Sequence, residues 1–187
     1  HALDLKTLQY KPKQKVKFTT LDAAKQVDDL KLRTQLLFQG QDQAGEFYRC
    51  IFADVFAYVS HRLPGISDEI FRIDDALRAG FGWELGAFES WDAIGLEAGL
   101  KACADRGLEV ASWVRDLIAS GATSFYGVAD GKRTCWDVTS KTHTTVPGQE
   151  GRIALSLLDH DKTVWSNSGT TIQDLGDGVL NIAFHTK

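Results

Sequence analysis

The chain has 187 residues, 43% hydrophobic and 25% charged, with 21 basic against 25 acidic side chains and a net charge of −4. This fits one compact domain, or a domain and a piece of another, able to bury roughly 70% of its unfolded surface. It excludes a general electrostatic affinity for nucleic acid or anionic lipid, and no stretch approaches the ~20 continuous apolar residues of a membrane span. The one basic stretch, KPKQKVK from Lys11 to Lys17, reads as a solvated connector because the rest of the chain is acidic. Cys50, Cys103 and Cys135 are odd in number and far apart, which fits neither a disulfide framework nor a zinc knuckle and points to a reducing, cytoplasmic setting. HALDLK at the start lacks the charged and apolar regions of a secretory signal. Methionine is absent even at position 1, as in a segment of a longer reading frame.

Up to about Gly121 the apolar period is helical. Thr19 and Thr20 predict the cap of a helix carrying Ala24, Val27, Leu30 and Leu37 and ending at Gly40. Asp42 predicts the cap of the next. That helix carries Phe47, Ile51, Val55, Tyr58 and Val59 on one face and Phe52 and Phe56 on a second, so it calls for burial on most sides. Pro64 and Gly65 interrupt it, and Ser67 or Asp68 opens a third helix through Ile70, Ile73 and Leu77, ending before Gly80. A bend follows, then a short helix from Phe88 to Ile94 stopped by Gly95. The last helical stretch uses Leu100, Cys103 and Ala104, passes Gly107, and resumes with Val110, Trp113, Val114, Leu117 and Ile118.

Beyond Gly121 the period becomes two. TSFYG and KRTCWDV flank Asp130-Gly131, a hairpin signal; GRIALSLL reads as extended; the tail TTIQDLGDGVLNIAFHTK reads as two strands joined at Gly176-Asp177-Gly178. Lys141 to Glu150 is the best boundary within this half. The fold class expected is α+β, mainly an α-helical bundle followed by short β-hairpins. Two strands alone are marginal in water, so the tail either packs on the helices or belongs to a larger sheet.

The bend itself, RAGFGWELGAFESWDAIG, crowds Gly80, Gly82 and Gly86 among Phe81, Trp83, Phe88 and Trp91. A phosphate-gripping glycine loop follows a strand and opens a helix, whereas this one follows a helix. The reading favoured is a helix-junction wedge in which Gly82 and Gly86 permit a close turn and the aromatics hold two helices together. Other candidates carry weaker signals. Asp159-His160-Asp161 is read as a solvated turn, since neighbouring side chains diverge, and His61 as a helix-end residue. The cysteines are read as core thiols. Glu84 and Glu89 are a candidate carboxylate pair for acid–base chemistry, with surface or capping roles preferred. Ser124, Ser156 and Ser168 lack a nucleophile-elbow context. Residue chemistry alone assigns no catalytic, cofactor-binding or metal-binding residues.

With AYVSHRLPGISDEI before it, the stretch RIDDALRAGFGWELGAFESWDAIG resembles the C-terminal helical domain of the 3-hydroxyacyl-CoA dehydrogenase family, in which an I-D-x-A-(M/L) stretch and a G-(P/A)-F-E-x-x-D-x-x-G loop recur. The tail SGTTIQDLGDGVLNIAFHTK is similar to the opening strands of an enoyl-CoA hydratase (crotonase-like) domain. In this order the two resemble the central region of bacterial proteins that fuse both enzymes for fatty-acid β-oxidation. The resemblance implies a connector over 1–17, a dehydrogenase-type helical domain over 18–126, and a β-rich extension over 127–187 that begins the hydratase. It implies NAD for the parent enzyme and none for this segment, because the family's Rossmann domain has no counterpart here. An asparagine in an N-R-L-type motif completes the family's active site; aligned on it, Phe47-Tyr48-Arg49 keeps the arginine but presents Tyr48 for the asparagine, as in a second, non-catalytic repeat. The implied partners are the Rossmann and hydratase domains of the same chain, acyl-CoA through the parent, and a second copy through apolar helix faces, with no nucleic acid and no membrane span. Lys187 is where this resemblance brings the chain toward the CoA phosphates. Two rivals are a stand-alone helical acyl-CoA-binding or dimerisation module, and a complete small enzyme using His61 or Glu84.

Overall fold

The computed structural model describes residues 1–12, 16–157 and 162–185. Among them lie a short pairing of β1 (Ala2–Leu3) with β2 (Tyr10–Lys11), seven α-helices, and two separate three-stranded antiparallel sheets. The architecture is α+β: a mainly helical bundle followed by β-hairpins.

The first helical region differs from expectation. It is two helices, α1 (Thr19–Ala24) and α2 (Leu30–Gln39). Asp29 makes the break by turning its side chain onto the Leu32 N–H at 2.8 Å, a competing N-cap. Thr20 caps nothing; its N–H donates to Asp42, which also accepts from Gly45 N–H and so caps α3 (Gln43–Ser60). The buried side of α3 is the one bearing Ala53, Phe56 and Val59, whereas Phe47, Ile51 and Tyr58 stay exposed. Arg49 reaches back to the carbonyls of Phe38 and Gly40, satisfying the C-terminal end of α2.

Helix α4 (Ile70–Phe81) starts later than expected, because Ser67 bonds the Glu69 backbone and holds that residue extended. It runs through Gly80 and ends at Gly82, whose φ of 66° supplies the left-handed terminator. Helices α5 (Ala87–Ile94), α6 (Leu96–Asp105) and α7 (Ser112–Ala119) follow.

Phe56 stacks on Trp91 with ring centroids 4.6 Å apart, and Phe125 packs edge-on against Phe88, Trp91 and Trp113. Fully burying rings of this kind is the largest apolar contribution a small core has. Phe125 leads into the first sheet, β3 (Tyr126–Ala129), β4 (Lys132–Asp137) and β5 (Thr142–Thr145), in which Trp136 is also part of the helical core. Asp130 and Gly131 both have positive φ, as a two-residue hairpin turn requires. β5 falls within the stretch read as a boundary.

The described part of GRIALSLL forms no strand and contains a 3-10 turn, Leu155–Leu157. The second sheet is β6 (Thr163–Ser166), β7 (Thr170–Gly176) and β8 (Val179–Phe184), in that order. It contributes no residue to the core.

Candidate functional site

Buried carboxyls and their hydrogen-bond partners come together at the junction of α4, α5 and β3. Asp74 lies on the inner face of α4, one helical turn after Ile70 and beside Ile73, and is fully buried. Its Oδ1 accepts the Phe88 N–H (3.0 Å); its Oδ2 accepts the Glu89 N–H (3.0 Å) and the Tyr126 hydroxyl (2.9 Å). One carboxylate from α4 therefore caps the N-terminus of α5, where free N–H groups and the helix dipole favour negative charge. Gly86 is required by this approach: a Cβ there would stand 2.3 Å from the Asp74 side chain.

Glu89 closes the same turn by accepting the Gly86 N–H at 2.7 Å, and pairs with both Arg78 and Arg133, the latter at 2.6 Å. The Arg133 guanidinium in turn covers the Tyr126 ring, 3.9 Å from its centroid. Asp92, one turn further along α5, accepts the N–H groups of Phe125 (2.7 Å) and Tyr126 (2.9 Å) and so fixes the start of β3.

Burial pushes Asp74 up to about 6, against the pull of the Phe88 N–H and the Tyr126 hydroxyl; the neighbouring Glu89 charge adds to the rise. Burial also pushes Asp92 up to about 7, outweighing its two backbone donors. Burial and the Asp74 charge raise Tyr126 well above the phenol range. Burial would raise Glu89 too, but the Gly86 N–H, Arg78 and Arg133 hold it below the ordinary carboxylate value. Raised carboxyls are the usual mark of an acid–base site. Here both oxygens of Asp74 and of Asp92 accept hydrogen bonds, and through them the two carboxyls join three elements.

The residues singled out from sequence fall in different places. Phe88 and Trp91 are fully buried and join α5 to α3 and β3, while Phe81 and Trp83 lie on the surface, 73% and 39% exposed, with their rings 6.2 Å apart. Gly82 makes the turn and Gly86 the close approach, but a Cβ at Gly80 would meet nothing. Glu84 is exposed and pairs with Arg33 at 3.7 Å, so Glu84 and Glu89 answer to different cations. His61 caps α3 and its ring contacts the Glu109 carbonyl at 3.2 Å. Cys103 and Cys135 are buried and Cys50 half-buried; burial pushes the Cys135 thiol up to about 11. Asp159-His160-Asp161 and Lys187 lie outside the described residues, as does the Ser156 side chain.

Asp74 and Asp92 were missed as a pair. The available signal was an acidic residue at i+4 of an apolar stripe: Asp74 after Ile70, Asp92 after Phe88. Between α1 and α2 lies an open cleft of about 410 Å³ that includes Thr19, Leu32, Gln35 and Gln39 and, among the described residues, no charged side chain. Among the described residues no group of three or more His, Cys, Asp or Glu side chains is placed to hold a metal, and no helix is long and apolar enough to cross a membrane.

No family model matches the chain. A curated relative does, the "Probable 3-hydroxyacyl-CoA dehydrogenase" of Bacillus subtilis (strain 168), with 35% identity over 188 residues that take in 100% of this chain and 24% of that protein. The chain spans about a quarter of the length of that relative. From end to end, then, it is homologous to a segment of a protein that carries the 3-hydroxyacyl-CoA dehydrogenase name.

Proposed function

We propose that the chain is a central, non-catalytic segment of a bifunctional fatty-acid β-oxidation enzyme, one that hydrates 2-enoyl-CoA and oxidises the resulting 3-hydroxyacyl-CoA with NAD. Its own task is to support: residues 18–126 form the helical layer of the dehydrogenase half, and residues 127–187 lead into the hydratase half. The observation that carries this reading is the end-to-end similarity to a quarter of a much longer dehydrogenase relative.

The junction of α4, α5 and β3 supports the non-catalytic part. At the glycine-rich bend that α5 follows, the N–H groups of Gly86, Phe88 and Glu89 are taken by the carboxylates of Glu89 and Asp74. An anion-binding helix start needs such donors free. The bend therefore does not suit a nicotinamide dinucleotide, and on this reading NAD belongs to another part of the parent. The cleft between α1 and α2 likewise has, among the described residues, no lysine or arginine to offer the phosphates of CoA.

The purified chain should show no enoyl-CoA hydration, no NAD reduction with 3-hydroxyacyl-CoA, and no calorimetric heat with acyl-CoA at micromolar concentration. Turnover that disappears in Glu84→Gln or in a His61 variant would overturn the proposal in favour of a small complete enzyme. Micromolar acyl-CoA binding without turnover would favour a stand-alone binding module.

A further inference from the structure

The hairpin of β1 and β2 has one apolar face. Leu3 lies opposite Tyr10, and on the other face Asp4 pairs with Lys11. Asp4 also accepts the N–H groups of Lys6 (2.9 Å) and Thr7 (3.0 Å), and the Leu8 N–H donates to the Asp4 carbonyl at 2.7 Å, so the turn is closed by its own polar groups. Leu5, Leu8 and Tyr10 are nevertheless 84%, 72% and 74% exposed, and none of them belongs to the core. A lone two-stranded hairpin is marginal in water, and apolar side chains grouped on it call for a cover.

A second open surface matches it. Phe47, Ile51 and Tyr58 stand at positions i, i+4 and i+11 of α3, on one face, and all three are exposed. From Phe47 to Tyr58 this row is roughly 16 Å long, and the hairpin from Ala2 to its turn is roughly 13 Å long. Within one copy neither surface covers the other, since both stay exposed. The first 17 residues carry five lysines and one aspartate, against 16 basic and 24 acidic side chains in the rest. Pairing of hairpin with hairpin would bring like charges together, whereas a hairpin on the body of another copy brings unlike charges together.

We propose that the N-terminal hairpin of one copy docks on the Phe47, Ile51 and Tyr58 face of α3 in a second copy, and that the two copies exchange hairpins reciprocally. Leu3, Leu5, Leu8 and Tyr10 meet the α3 row, and Lys6, at the hairpin's turn, meets the acidic body. A reciprocal exchange is closed by a two-fold axis and leaves no hairpin or α3 face to recruit a third copy. The exposed parts of these side chains come to on the order of 1,600 Å² over the two contacts, the area of a standard stable interface. The association uses no other part of the parent, so it holds whichever reaction the parent performs.

Sedimentation equilibrium of the 187-residue chain should show a dimer at micromolar concentration that weakens as salt is raised. Leu5→Asp in the hairpin and Ile51→Asp on α3 should each raise the dissociation constant at least about 10-fold. Thermal unfolding of both variants, diluted to monomers, should match that of the diluted wild type, because neither residue is in the core. An equimolar mixture of the two variants should associate more tightly than either alone, since a mixed pair joins one intact hairpin to one intact α3 face. A wild-type chain that stays monomeric to roughly 100 μM, or a mixture no tighter than its components, would overturn the exchange. Dimerisation untouched by Ile51→Asp would overturn it in favour of hairpin–hairpin pairing, and a monomer that sediments with phosphatidylserine vesicles would do so in favour of a membrane surface.

Discussion

Gly80 and Gly86 stand on either side of one bend and answer to different demands. A methyl group at Gly86 collides with Asp74, whereas one at Gly80 projects into open space from a helix. Gly86→Ala should therefore destabilise the protein by about 1–3 kcal/mol through overpacking. Gly80→Ala should stabilise it by up to about 1 kcal/mol by removing a flexible residue from a helix. Urea titration of both variants checks the contrast; equal effects would mean that the Asp74 contact does not govern the bend. Tyr126→Phe removes one of three donors to a buried carboxylate and should cost about 1–3 kcal/mol. The spacing of the glycines could be read in the sequence, but their separate roles could not, because the neighbour that distinguishes them comes from a different helix.

At the scale of elements, α4, α5 and β3 are fastened by two carboxyls whose folded values lie above the usual 3.8, at about 6 for Asp74 and about 7 for Asp92. A carboxyl raised in the folded state binds its proton more tightly there than in the unfolded chain. Stability should then rise as pH falls through 7 and 6, and the gain should be complete near the unfolded value. Together the two groups should add roughly 3–4 kcal/mol between pH 7 and pH 5. Thermal unfolding across that range measures it, and Asp92→Asn should flatten the upper part of the curve. Asp42 has the opposite sign: the Thr20 and Gly45 N–H groups hold it at about 2, so its contribution is lost only as pH falls below the unfolded carboxylate range. The helix starting at Asp42 and the hairpin at Asp130-Gly131 were legible because cap and turn chemistry is local. The break between α1 and α2 was hidden, since Asp28-Asp29 lies inside a pattern whose apolar spacing continues across it.

Across the whole molecule, the aromatic cluster and the second sheet should differ in stability. Phe56, Phe88, Trp91 and Phe125 are fully buried, and Trp91→Ala should cost about 3–5 kcal/mol and unfold the helices together. The β6–β8 sheet shares none of this core. Its amides should exchange through local opening at a lower free energy than those of α3 or α5, a difference that native-state hydrogen exchange reads directly. Protection equal to that of α3 would show the sheet to be held by contacts beyond its own strands.

By itself the sequence determined most of the helices, the hairpins at Asp130-Gly131 and Gly176–Gly178, the change of period near Gly121, and the resemblance to a dehydrogenase segment. Each of these is a property of neighbouring residues: spacing, capping, turn chemistry and motif. Only the tertiary structure decided which face of α3 turns inward, that Phe81 and Trp83 lie outside while Phe88 and Trp91 lie within, and that Asp74 caps a helix other than its own. Those outcomes depend on residues distant in sequence, such as the 52 positions between Asp74 and Tyr126. Packing and desolvation act on what is near in space, and local pattern does not carry that information.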